Sequence, residues 1–171
     1  MKLLAEISDR TLGLGSEELL FSRYELRKSA RAILLNTDGA MAVQHLTKRG
    51  FHKLPGGGVD VGESVEDALV REVREEVGCA CSVGDLVGVV VEYRNKASLL
   101  HISYCYTSTV EGEVGEPTYE QAELDDGQET MWLSPKEALA ALEADNPEIY
   151  KARFILAREV AFVREYLSTS N

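Results

Sequence analysis

The chain has 171 residues, of which 44% are hydrophobic and 27% charged, with 3 cysteines and a formal net charge of -11. That length fits one domain, residues 1–171, large enough for a real core. The acidic balance disfavours a nucleic-acid backbone or an anionic membrane as partner, although a local basic patch survives it.

No apolar run approaches transmembrane length. An odd cysteine count without a secretory leader points to a reduced, cytoplasmic protein. Residues 1–7 contain Glu6 and no small-residue cleavage site, so KLLAEI reads as a strand within an N-terminal segment 1–25. Residues 13–18 are turn-like, and a second strand is expected near 19–23. Residues 30–35 (ARAILL) and 41–46 (MAVQHL) read as two strands joined at Asn36-Thr-Asp-Gly-Ala, a hairpin signal.

Next comes Pro55-Gly56-Gly57-Gly58, a loop that can hold backbone close to a ligand because no Cβ intrudes. Ser64 with Asp67 resembles a capping box, so a helix should begin just after Ser64, and Gly78 stands where a C′ glycine is wanted. At ~100° per residue, Val65, Leu69, Val73 and Val77 form its apolar stripe. Glu76 projects between Val65 and Leu69, with Glu72 beside them, while Arg74, Asp67 and Arg71 take the opposite, wet side. Glu72, Glu75 and Glu76 stand at i, i+3 and i+4, where like charges repel by ~0.2–0.5 kcal/mol per pair. Carboxylates on the buried edge of a helix are costly unless paired or metal-bound. Hard divalent cations take such oxygens together with substrate phosphates, so glutamates beside a glycine loop suggest phosphate chemistry.

Beyond the helix, residues 81–91 and 99–110 read as strands closed through 93–98. A short strand at 130–133 leads into a helix at 135–144. Pro147 opens a last helix, 147–167, with Ile149, Ala152, Leu156, Val160, Val163 and Leu167 on one face. The order ββαβββαα implies a mixed sheet covered by helices, an α/β sandwich.

Several conspicuous residues read as core. Cys79-x-Cys81 with Cys105 and His101 matches no standard zinc spacing. Trp132, Phe154, Tyr104 and Tyr106 are expected to pack, and base stacking by a tyrosine pair member, Tyr93 or Phe51 is the lesser reading. Phe154, Ile155 and Phe162 lie off the main stripe of the last helix, which implies deep packing or a homodimer contact.

Gly57, five residues, Glu63, seven residues, then Arg71-Glu72-Val73-Arg74-Glu75-Glu76-Val77-Gly78-Cys79 resembles the Nudix box, G-x5-E-x7-R-E-U-x-E-E-x-G-U with U bulky and apolar. Cys79, a smaller apolar residue, is the one soft departure. The resemblance implies the Nudix α/β/α sandwich with a mixed sheet. It also implies hydrolysis of a nucleoside diphosphate linked to another moiety, with Mg²⁺ or Mn²⁺. By analogy Glu72 and Glu76 are metal ligands, Glu75 is a further ligand, sometimes through water, and the Gly57 carbonyl completes the shell. Arg71 either holds Glu75 by an i,i+4 ion pair or is a plain surface charge, and Glu63 is supportive.

The general base is a box glutamate or a carboxylate of the later acidic segment, where Glu120, Glu123, Asp125, Asp126 and Glu129 crowd ahead of Trp132. The substrate class stays open among nucleoside triphosphates, nucleotide sugars and dinucleoside polyphosphates. No proline falls between Pro55 and Pro117, as the ADP-ribose class would have, and the extended signature of the NADH class is missing. A catalytically silent nucleotide-sensing domain on the same fold is the alternative. Isomerase chemistry on a diphosphate lipid precursor would need a catalytic cysteine and metal-binding histidines that cannot be placed.

Overall fold

The computed structural model describes residues 2–15 and 24–170. Among them, seven strands share one sheet: β1 (Leu3–Ser8), β2 (Glu25–Leu35), β3 (Met41–Leu46), β4 (Phe51–Lys53), β5 (Ala80–Arg94), β6 (Leu99–Glu111) and β7 (Gln128–Leu133). The path runs β1-β5-β6-β2-β3-β4, and β7 pairs with β3. β1 lies parallel to β5 and β2 to β6, while the remaining pairings are antiparallel. The sheet is therefore mixed, as expected.

Side-chain alternation along the central strands feeds two cores, one on each face. Ala30, Ala32, Leu34 and Ala42 point to one face, where Leu69, Val73 and Val77 of helix α1 (Val65–Val77) cover them. Ile33, Met41 and Val43 point to the other, under helices α3 (Pro135–Ala144) and α4 (Tyr150–Thr169), whose Leu142, Phe154 and Phe162 are fully buried. Burying one such side chain stabilises by ~1.5–3 kcal/mol, so both helical layers are anchored by apolar area. The result is an α/β/α sandwich.

The local signals for α1 hold. The Ser64 hydroxyl accepts the Asp67 N–H at 3.0 Å, and Gly78 adopts φ 77°, a left-handed cap that glycine enters without a Cβ clash. The hairpin at 36–40 is closed by the Asn36 side chain, which accepts the N–H groups of Asp38 and Ala40.

Other boundaries moved. β2 starts at Glu25, not residue 30, because parallel pairing with β6 along its whole length orders the charged, exposed first half that periodicity missed. The three-residue β4 gave no pattern to read. The acidic segment holds a six-residue helix, α2 (Gln121–Asp126), carried by a Glu120–Glu123 capping box and not by an apolar stripe. Pro147 does not open the last helix. α4 starts at Tyr150, and the Pro147 carbonyl instead accepts the Arg153 Nε–H at 3.1 Å. Ile149, expected on the buried face, is exposed.

Phe154, Ile155 and Phe162 are covered by intramolecular packing, which removes the reason for expecting a dimer contact there. The strand expected near 19–23 lies outside the described residues. No helix among the described residues is long and apolar enough to cross a membrane. Cys79, Cys81 and Cys105 are free, buried thiols in the two cores.

Candidate active site

The C-terminal half of α1 faces the glycine loop, which runs as a short rung along β2. The Ala30 N–H donates to the Gly57 carbonyl and the Ala32 N–H to the Pro55 carbonyl, both at 3.0 Å. This pins the loop between β2 and the helix. A Cβ on Gly57 would collide with the Glu72 carboxylate, so glycine there lets backbone and carboxylate approach. The Gly57 carbonyl is not idle, because the strand pairing already uses one of its lone pairs.

Glu76 is 1% exposed and is held from three elements. Lys53 of β4 donates to its Oε1 at 2.7 Å, Gln128 of β7 to the same oxygen at 3.1 Å, and the Gly56 N–H to Oε2 at 2.6 Å. Its backbone carbonyl accepts Gln44 and Thr130. Burial alone would raise this carboxyl. The Lys53 charge and the converging donors outweigh that and hold it below the usual carboxylate range. Glu72 has no such lysine. Burial, then the negative charge of Glu76, raise its carboxyl against the opposing pull of Arg71.

Arg71 is not on a wet face. Half-buried, it grips Glu63 through Nε and Nη2 at 3.0 and 3.1 Å, Glu72 through Nη1 at 2.9 Å, Glu75 through Nη1 at 3.2 Å, and the Gly58 carbonyl through Nη2 at 2.9 Å. The expectation of a wet-side Arg71 is thus corrected, because its length carries the guanidinium to three carboxylates. The expected i,i+4 pair with Glu75 is one arm of that clamp, and Glu63, expected to be supportive, pairs with the same guanidinium.

Glu72, Glu75 and Glu76 all line one cavity of ≈ 470 Å³. Of the acidic-segment candidates, Glu120, Glu123 and Asp126 also line it, while Asp125 and Glu129 do not. Asp125 accepts Gln121 on the surface, and Asp126 is paired to Arg49 at 2.7 Å. Glu123 alone is drawn to Glu76. The Gln128 amide bridges the two carboxyl groups, at 3.1 Å to Glu76 and 3.4 Å to Glu123. Burial first, then the hydrogen bond and the charge of Glu76, push Glu123 up to about 7.

Basic side chains line the same cavity as the glutamates. Arg158, fully buried, donates to Glu92 at 3.0 Å and also pairs with Glu159. Arg94 reaches Glu92 at 2.6 Å, and Arg31 lies 3.4 Å from Glu159. Against the cost of burial, Arg158, His101 and Arg94 hold Glu92 at about 2. Burial lowers His101, beside Glu92, to about 4. Lys53 precedes the glycine loop by two residues, and its position could have been noticed. Gln128 and the arginines, scattered over β2, β5 and α4, left no local signal.

Among the described residues, no three His, Cys, Asp or Glu side chains form a ready-made metal cage. The donor set nevertheless suits a hard cation, which commonly takes one or two protein carboxylates and completes its shell with phosphate and water. Glu72, raised first by burial and then by the charge of Glu76 and fitted over a glycine, is the kind of carboxylate such an ion satisfies.

The family model described as the NUDIX domain matches residues 25–153. The ADP-ribose pyrophosphatase of Methanocaldococcus jannaschii is 51% identical over 41 residues, 24% of each chain. A MutT-like protein of Streptomyces ambofaciens is 26% identical over 133 residues, covering 78% of this chain and 77% of that one. The solved NUDIX hydrolase from Nitrosomonas europaea superposes with a TM-score of 0.63 at 17% identity, over 84% of this chain and 90% of the other. The first curated relatives are matched over only 19% to 35% of their own length.

Proposed function

The chain belongs to the NUDIX domain family, and on that premise we propose that it is a metal-dependent pyrophosphohydrolase acting on a nucleoside diphosphate linked to another moiety. The observation that carries this reading is the convergence of Glu72, Glu75 and Glu76 with a glycine loop on one cavity, their carboxylates held in place by Arg71 and Lys53. Relatives named as pyrophosphatases support it. The single sheet running from β1 to β4 supports treating residues 1–171 as one domain, and the free thiols suit a reducing cytoplasm.

Glu72, Glu75 and Glu76 would hold Mg²⁺ or Mn²⁺, which supplies neutralisation of the diphosphate oxygens and acidification of a water. Arg71 acts as a positioning residue, fixing the orientation of Glu72 and Glu75 through its guanidinium fork. Lys53 does the same for Glu76. Glu123 accepts the proton from the attacking water at its carboxylate. Its place beside Glu76, on a short helix outside the box, favours it over the other carboxylates of its segment.

The test is phosphate release from a panel of nucleoside diphosphate derivatives, ADP-ribose included, and triphosphates, with Mg²⁺, Mn²⁺ or EDTA and coupled phosphatase to identify products. Metal-dependent turnover of one class, lost in Glu76→Gln protein that still unfolds cooperatively, is the expected result. Full activity in Glu76→Gln would mean that the cation site is elsewhere. Absence of turnover across the panel would favour a binding role.

A further inference from the structure

The cavity that holds the glutamates is also lined by a group of cations. In a chain of formal charge -11, the lining of this cavity gathers Arg27, Arg31, Arg94, Lys151 and Arg158. Among the described residues, two carboxylates, Glu92 and Glu159, pair with members of this group. Arg94 and Arg158 are accounted for by those carboxylates and serve the fold. Arg31 meets Glu159 only at 3.4 Å, and Arg27 and Lys151 pair with neither carboxylate. Among the described residues, Arg27 and Lys151 are exposed and make no ion pair, although both face the cavity. Arg31 is 7% exposed, and its Nε has no hydrogen-bond partner.

These cations also oppose one another. Burial first, then Arg158, depress Arg31, and partial desolvation at the cavity, then the charges of Arg27, Arg94, Lys53 and Arg31, depress the exposed Lys151. Gathering like charges in a concave site costs stability and focuses a positive potential there. An anion that enters relieves that repulsion, and guanidinium forks match phosphate oxygens in particular. A nucleobase finds less. Phe51 is the one Phe, Tyr or Trp lining the cavity among the described residues, and it is 4% exposed, so it offers little open ring face.

We infer that Arg27, Arg31 and Lys151 form a phosphate subsite, and that the substrate carries at least one phosphate beyond the diphosphate cleaved at the glutamates. The substrate assignment rests on the pyrophosphohydrolase reading above, whereas anion binding by the cation group does not. The extra phosphate comes either from a longer phosphate chain or from a phosphomonoester elsewhere on the molecule.

Two measurements on the full chain keep the two readings apart. In EDTA and low salt, inorganic tripolyphosphate is titrated calorimetrically into wild type and into Arg27→Ala/Lys151→Ala, whose altered side chains are exposed. Binding is expected in the wild type and at least tenfold weaker in the double variant, while Glu76→Gln binds as well or better because it removes a negative charge from the same cavity. Equal binding by wild type and the double variant, or no binding by either, overturns the subsite.

With Mg²⁺, turnover is then compared for a dinucleotide diphosphate with and without a 2′-phosphate, and for a nucleoside di- and triphosphate pair. A kcat/KM advantage of about tenfold for the phosphorylated member, corresponding to ~1.4 kcal/mol, should collapse in the double variant. The pair that shows the advantage identifies the source of the phosphate. A ratio near one in both pairs overturns the substrate assignment. Failure of every diphosphate to turn over, with tripolyphosphate binding intact, would overturn the hydrolase reading and the substrate assignment while sustaining the anion site.

Discussion

Lys53→Met removes the cation beside Glu76 while keeping most of the side-chain length. The pair is 2.7 Å apart, with the Lys53 side chain 14% and the Glu76 side chain 2% exposed. Removing one partner of a buried pair costs ~3–5 kcal/mol, because the other charge stays buried. Here the Gly56 N–H and the Gln128 amide still donate to the carboxylate, and hydrogen bonds to charged groups each contribute ~1.5–3 kcal/mol. The loss should therefore fall at the low end, about 3 kcal/mol, or a Tm drop of roughly 6–12 °C for a chain of this size.

The loss must also depend on pH. In wild type the Glu76 carboxyl is held down, so its contribution is present above the ordinary carboxylate range and is lost as pH falls. Without Lys53, burial dominates and raises it, so the penalty is full at high pH and fades as Glu76 takes up a proton. Urea and thermal unfolding in EDTA at pH 8 and pH 5 check this. The wild-type-to-variant gap should be wide at pH 8 and narrow at pH 5, and Glu76→Gln in the Lys53→Met background should recover stability at pH 8. An equal gap at both pH values, or no recovery in the double variant, would refute the assignment of Lys53 as the counter-charge.

Three further outcomes are expected. Gly57→Ala should keep the fold but displace Glu72, lowering kcat/KM by on the order of a hundredfold, since small displacements in a catalytic site can cost that much. Wild-type Mg²⁺ activation of Gly57→Ala would contradict the close approach of loop and carboxylate. His101 is lowered to about 4, so the unfolded chain binds its proton first and stability should fall as pH drops from 6.5 towards 4, by up to about 3 kcal/mol. Denaturant melts of His101→Gln should show a flatter limb over that interval, and an unchanged slope would exclude His101 as its source. Cys79→Ala should cost about 1–2 kcal/mol through lost core packing, with the purified protein carrying no zinc before or after. Stoichiometric zinc lost on substitution would overturn its role as a core thiol.

The box helix was legible because its information is local. Ser64, Asp67 and Gly78 fix its ends through hydrogen bonds and a left-handed cap within a few residues, and the spacing of Glu72, Glu75 and Glu76 fixes their sector. The same holds for the hairpin at 36–40 and for α3, found at residues 135–144 as the Ser134 cap and Pro135 require. Less of the first half of β2 could be read, since its order comes from pairing with β6, residues distant in sequence.

The site divides in the same way. The amino-acid order by itself determined which carboxylates stand together on α1 and that a glycine faces them. Tertiary structure alone decided that Glu123, and not its acidic neighbours, meets Glu76; that Lys53 and Gln128 hold it; and that arginines from β2, β5 and α4 line one cavity. Helical spacing fixes neighbours within a turn or two, but contacts between strands and helices far apart in the chain depend on sheet order and register, which no local pattern encodes.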